Sequence, residues 1–414
     1  MTNLGLLAII ASAVAIVVAL ILWLIGRLET TSLVWSMVGG LVGVVFLAGF
    51  LITLEIVEIR TVRVDGEFYK YDIGDLLFIN ESPALYEGPH VFWQSDTLAH
   101  VASVCGQKPT VRAISAADTL RFQDPCAPSE TYAFPAAAPT PDSATFRNAS
   151  RVFAVSDGEG RYDRLVQLLS AVGVTDSTGR WTWGAGHLVL LGDFVDRGTQ
   201  VTETLWFIHR LERAARQHGG RVDYVLGNHE AMLMRGDTRG ADVKYELLAR
   251  RLNTSIPGLY GPKTEIGRWM RRKPAMVRID SVLFTHGGVS PALVDQDLSL
   301  AEINEGVRAG LRQPLAVHAD STLELLYSDS GPLWYRGYFR KEDLQTSAVG
   351  SVLAQFGVKR AVVGHTTVGS VQTRHGGRVV GIDVGFREPE QGEGLLIEDG
   401  QYYSVDTAGN REAL

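Results

Sequence analysis

Five short segments of this sequence place Asp, Asn or His beside glycine in an order that suits metal chemistry. They are SDGEG at 156–160, GDFVDRG at 192–198, GNHE at 227–230, THGG at 285–288 and GHT at 364–366. Carboxylate, amide and imidazole groups are the ligands that divalent metals take in convergent sets. Two such metals about 3.5–4 Å apart can clamp the attacking and leaving oxygens of a phosphoryl displacement, and they lower the pKa of a bound water. Arginine offers a planar fork that matches phosphate oxygens, and Arg197 lies within the second segment. A lone Asp or His after a strand reads as a helix cap or a turn residue; GDFVDRG is more specific. The five in order point to metal-assisted phosphoester chemistry.

Each segment follows an apolar run of strand character, at 151–155, 187–191, 221–226, 281–284 and 360–363. Helical patterns stand between several of them, for example at 162–172 and 202–218. In open α/β sheets the carboxyl ends of strands lie together and sites form there. Polar groups two hundred residues apart can thus converge, with glycine permitting the turns that aim them.

The set resembles the calcineurin-like metallophosphoesterases, and within them the phosphoprotein-phosphatase type. Their signatures run GDxHG, GDxxDRG, GNHE, HGG and a final GH, and they cover residues 151 to about 385 here. LWYRG at 333–337 and VVGHT at 362–366 are similar to the bacterial Shewanella-like phosphatases, a group associated with phosphotyrosine and other phosphate monoesters. The resemblance implies an α/β fold with a two-sheet β-sandwich flanked by helices. It implies that Asp157 and Glu159 hold a first metal, that Asp193 bridges, and that Asn228, His286 and His365 hold a second. Arg197 and Arg336, with Asn228, would grip the phosphate. His229 would be the general acid, oriented by Asp196.

The chain departs from the family pattern in its first motif. Glu159 stands where the family has His, and Ser156 replaces the leading glycine. Glutamate can still ligate, and as a hard oxygen donor it favours manganese, magnesium or iron over zinc. The expected cofactors are two divalent metal ions, manganese foremost.

The remaining sequence sets the surroundings. Leu4 to Ile25 and Leu33 to Leu54 carry no charged residue. Each spans about 33 Å as a helix, enough to cross a hydrocarbon core of about 30 Å. Residues 1–56 are therefore expected to form a transmembrane hairpin, with small-residue stripes (Ala11, Ala15 and Ala19; Gly39 and Gly43) packing its helices. The lipid bilayer is the expected partner, in a bacterial inner membrane. Arg60, Arg63 and Lys70 against Arg27 place the catalytic domain on the cytoplasmic side.

Residues 57–124 read as a small β-rich accessory segment, 125–150 as a Pro/Ala-rich linker, and 151–414 as the catalytic domain, closed by strands at 394–397 and 402–405. Cys105 and Cys126 suit either one disulfide in an oxidising compartment or two free thiols. Arg271, Arg272 and Lys273 read as a solvated basic turn, or as the lining of a pocket for an acidic substrate. His90 and His100 read as structural or surface residues. A net charge of −7 argues against nucleic acid as a partner, which would normally meet a basic face. The substrate expected is a phosphoprotein or a small phosphate monoester. A nucleotide or lipid-linked phosphate, or a non-catalytic membrane binding module, are the alternatives.

Overall fold

The computed structural model describes residues 60–64, 67–71, 84–128, 130–313, 321–342, 344–386 and 392–414. The chain divides into two compact units, Met1–Ser82 and Pro83–Leu414. In the first, β1 (Arg60–Val64) and β2 (Glu67–Tyr71) form an antiparallel hairpin, with Arg60 opposite Tyr71 and Val64 opposite Glu67. The expected membrane spans at 4–25 and 33–54 lie outside the described residues. No helix among the described residues is long and apolar enough to cross a membrane.

The second unit opens with antiparallel strands. β3 (Leu85–Ser95), β4 (Leu98–Gly106) and β5 (Lys108–Ser115) form one sheet, and β6 (Thr119–Gln123) pairs with β7 (Thr131–Pro135). A disulfide joins Cys105 to Cys126, with Cα atoms 5.2 Å apart. The stretch expected as a linker, 125–150, carries β7 and also β8 (Thr145–Phe146), which forms an edge of the larger fold. The reason lies in alternation. Tyr132 and Phe134, two residues apart, point the same way and pack their rings 4.9 and 5.6 Å from Trp206. Pro135 closes the strand, a position proline tolerates.

Two six-stranded sheets follow, as the family resemblance implies. The first has the order β11-β10-β9-β17-β18-β19, comprising β9 (Arg151–Val155), β10 (His187–Leu190), β11 (Arg221–Tyr224), β17 (Glu393–Glu398), β18 (Gln401–Asp406) and β19 (Arg411–Ala413). The second has the order β15-β16-β14-β13-β12-β8, with β12 (Met276–Ile279), β13 (Val282–Thr285), β14 (Arg360–Val363), β15 (Gln372–Arg374) and β16 (Val379–Gly381). β9, β10 and β11 are mutually parallel, as are β13, β14 and β16.

Period-two alternation builds two cores from the same strands. Val152, Ala154, Val189, Val277, Phe284, Val362 and Leu395 form one buried cluster that draws on both sheets. Phe153, Val155, Leu188 and Leu190 turn the other way, into the cluster shared with the helices. Those helices include α1 (Tyr162–Val172), α2 (Val201–Gln217), α3 (Asn228–Met234), α4 (Val243–Arg251) and α5 (Glu265–Met270).

The basic run at 271–273 is not a solvated turn. Lys273 is 0% exposed and donates to Asp142 at 2.8 Å and to Glu212 of α2 at 2.7 Å. Arg272 joins Glu212 at 2.7 Å, and Arg271 caps the Gly267 carbonyl at 3.0 Å. Its cationic heads anchor residue 142 of the supposed linker to the catalytic core. His90 is buried within 3.9 Å of Glu87, in keeping with a structural role.

Candidate active site

The parallel strands aim their carboxyl ends at one place. Asp157 follows β9, Asp193 follows β10, Asn228 follows β11, His286 follows β13 and His365 follows β14. The turns that do this are tight. Asp157, Glu159, Asp193, Asp196, Arg197 and His365 all have φ between 46° and 65°, a left-handed region that non-glycine residues rarely adopt and that concentrates at functional sites. Neighbouring loops leave no room for side chains. A Cβ on Gly364 would collide with Ser156 and Asp157, and one on Gly227 with Asp193.

Asp193 is the hub. One carboxylate oxygen accepts the His229 amide at 2.9 Å, and the other lies 3.2 Å from His286 Nε2. His286 Nε2 is also 3.0 Å from Asn228 Oδ1, while its Nδ1 is fixed by the Leu191 carbonyl at 2.6 Å. The His365 ring lies 5.0 Å from that of His286, and its amide donates to Asp157 at 3.0 Å. Ser156, in place of the family glycine, bonds the same Asp157 oxygen. Arg336 bonds the His365 carbonyl and lies 3.3 Å from its Nδ1.

Charge state follows from this crowding. Burial, and next the charge of Asp383, push the Asp157 carboxyl well above the usual range. Burial works the same way on Asp193, but the charge and hydrogen bond of His286 outweigh it and hold that carboxyl below its ordinary value. Burial opposes a charge on His286, yet Asp193 and Asp157 push it up to about 10. Burial, then the positive charges of His286 and Arg336, keep the His365 imidazole neutral, the form that binds metals.

A second group sits beside the hub. His229 Nδ1 is 2.7 Å from Asp196 Oδ2, and its Nε2 is 2.9 Å from an Arg197 guanidinium nitrogen. The other arm of Arg197 is paired with Glu159. Burial lowers the His229 pKa, but the Asp196 hydrogen bond and the Asp193 charge raise it further, and the net shift is upward. A guanidinium cannot accept, so in this arrangement Nε2 accepts and Nδ1–H donates to Asp196.

Two residues of consequence escape motif reading. Asp383, buried beyond β16, shifts the Asp157 carboxyl by its charge and is itself raised by burial. Its signal was a sixth case of the same pattern, a strand ending in Asp near Gly385. Glu230, the last residue of GNHE, is wholly buried. Its carboxylate accepts the amides of Asp193 and Phe194, each at 2.9 Å, and of Gly227 at 2.8 Å, and the Tyr224 hydroxyl at 2.7 Å. It caps α3 and pins the Asp193 loop at once.

The residues fit a divalent metal. Asp193, His286 and His365 each offer a ligand atom, all within 4.8 Å of one another and all buried. Asn228 adds an amide oxygen to that set through its contact with His286. Asp157 stands at the same strand ends, whereas Glu159 is engaged by Arg197.

Two such sheets, with groups that could hold a metal at their strand ends, are the arrangement of a metallophosphoesterase. Residues 150–369, just over half of the chain, match the calcineurin-like phosphoesterase family, and the chain belongs to it. It is a phosphoric ester hydrolase. The cold-active protein-tyrosine phosphatase of a psychrophilic Shewanella species is similar in structure. Its TM-score is 0.74 at 32% identity, covering 80% of this chain and 99% of that one. An uncharacterised protein of Schizosaccharomyces pombe is 29% identical over 60% of this chain and 77% of its own. Shewanella-like protein phosphatase 2 of Arabidopsis thaliana is 31% identical, over 28% of this chain and a third of its own length.

Proposed function

We propose that this chain hydrolyses phosphate monoesters, phosphotyrosine among them, and that residues 4–25 and 33–54 anchor it in a membrane. The observation that carries the chemistry is the convergence of Asp193, His286 and His365 within 4.8 Å, beside a paired His229 and Asp196. Asn228, His286, His365 and Asp193 would hold one divalent metal. Asp157 and Asp193 would hold another, with Glu159 divided between that metal and Arg197. When bound, the metals supply Lewis-acid stabilisation of phosphoryl oxygens and a water of lowered pKa. Manganese is the metal we favour for a set with this many oxygen donors. Phosphotyrosine is put first because the Shewanella tyrosine phosphatase is similar over nearly its whole length.

The chain's own groups do the rest. Arg197 turns from Glu159 and His229 to the substrate phosphate, joined there by Arg336. That frees His229 Nε2 to carry a proton, which Asp196 and Asp193 favour. The proton then passes to the leaving oxygen, so that an alcohol or phenol departs rather than its anion.

The test uses the full chain with manganese and p-nitrophenyl phosphate, and measures bound metal beside turnover. Asp193→Asn is expected to lose both metal and activity. Metal-loaded wild type turning over no faster than the variant would refute the proposal. On sidedness the observations divide. The basic residues after the second span favour the cytoplasm, whereas the Cys105–Cys126 bond favours an oxidising compartment. The disulfide carries more weight with us, because the charge margin is only three residues against one.

A further inference from the structure

The contacts that hold the Arg197 loop lead out of the site and into the accessory strands. Arg197 sits at φ 59°, and its amide is held by the Gly240 carbonyl at 2.8 Å. Two residues on, the Thr199 carbonyl accepts from Lys244 Nζ at 2.6 Å and from the Tyr245 hydroxyl at 3.1 Å. That hydroxyl also accepts the Val201 amide at 2.7 Å. The start of α4 therefore clamps the loop just beyond the arginine.

Lys244 is 7% exposed, and a buried ammonium needs a counter-charge. Glu87 of β3, 3% exposed, provides it by a direct ion pair, and Glu203 lies 3.7 Å from the same ammonium. The other end of α4 is also held by an accessory strand, where Arg251 donates to the Gly106 carbonyl at 2.9 Å, next to the disulfide at Cys105. The helix that grips the loop is thus itself gripped at both ends by β3 and β4. Two residues of chain reach no more than about 7 Å, so a shift of Thr199 passes directly to Arg197. Phosphate binding by a planar fork tolerates little misplacement.

We propose that Glu87 and Lys244 are positioning residues that set Arg197 for phosphate, which makes the accessory strands part of the catalytic apparatus. The inference rests on the assignment of Arg197 to phosphate. It is tested on the full chain with wild type, Lys244→Met, Arg197→Ala and the double variant. The readouts are the inhibition constant of inorganic phosphate against p-nitrophenyl phosphate and the melting temperature. Residues linked through a shared stretch of backbone couple, so Lys244→Met, acting through Thr199, should weaken phosphate by about tenfold in the wild-type background and by less than about twofold beside Arg197→Ala. The melting temperature should fall equally in both. Glu87→Gln, which keeps volume and removes only charge, should repeat the pattern if Lys244→Met does not fold. Lys244→Arg, still a donor to Thr199, should recover part of the loss. Equal phosphate losses in both backgrounds, or a wild-type constant at a lowered melting temperature, would overturn this inference alone. An unchanged constant in Arg197→Ala would overturn the assignment of Arg197 as well.

Discussion

Asp157, Asp193 and His365 occupy left-handed backbone that costs of order 1–3 kcal/mol each. Such cost persists only where surrounding bonds over-determine the turn, and here they do. Glu230 alone ties the Asp193 loop through two amides. The same precision makes His229 specific in what it can do. Its Nδ1 is committed to Asp196, so only Nε2 can deliver a proton. His229→Ala is expected to lower turnover by about 10²- to 10⁴-fold. The loss should be larger for phenyl phosphate, whose leaving group needs the proton, than for p-nitrophenyl phosphate. Equal losses on the two substrates would remove His229 from the role of acid. Motif spacing located these residues, because each chemistry-bearing side chain is a neighbour of glycine at a strand end. Asp383 is less legible, because it stands two residues beyond its strand and its glycine, Gly385, is not adjacent to it.

At the scale of elements, α2 is fastened by one carboxylate. Glu212 is buried and bonded by Lys273, Arg272 and Arg216, and by Trp269 Nε1 at 2.7 Å. Burial would raise its pKa, but Lys273 and then Arg272 overcome that and hold it at about 2. Its ordinary value is about 4.3. The folded pKa is depressed, so the contribution to stability is present above the unfolded value and is lost as pH falls toward the folded one. Urea denaturation of wild type and Glu212→Gln should therefore show a stability gap at pH 7 that narrows between about pH 5 and pH 2. A gap constant with pH would mean that Glu212 acts by shape rather than charge. This network was not legible in sequence. A run of three basic residues looks like a surface, and only the fold shows that Asp142 and Glu212 meet it.

The second unit, from Pro83 to Leu414, is compact and tied together across its length. Trp206 Nε1 donates to the Pro89 carbonyl at 2.7 Å, and Trp93 Nε1 to Glu265 at 2.9 Å. A chain cut at residue 151 would lose Pro89, Trp93 and Asp142, and so leave Trp206, Glu265 and Lys273 without these partners; the full chain is therefore the form to assay. The disulfide closes a separation of 21 residues within the accessory strands. Replacing both cysteines by serine should cost about 3 kcal/mol of unfolding free energy, measured by denaturant. In protein isolated under conditions that block exchange, a maleimide should label neither thiol before reduction and both after it. Labelling of both without reduction would return the catalytic domain to a reducing compartment.

Sequence alone determined the chemistry. Aspartate, asparagine and histidine at glycine-flanked strand ends, in one order, specify a metal-dependent phosphoesterase because metal ligands must be short, polar and sharply aimed. It also determined the alternation that builds two cores from one set of strands. Only tertiary structure decided what each ligand meets. Glu159 lies against Arg197, and Lys273 of the basic run at 271–273 is buried. The proline-rich stretch supplies strands to two sheets, and Lys244 reaches from an accessory ion pair to the catalytic loop. These are partnerships between charges far apart in sequence. Their energies depend on burial and distance, which no local pattern of residues encodes.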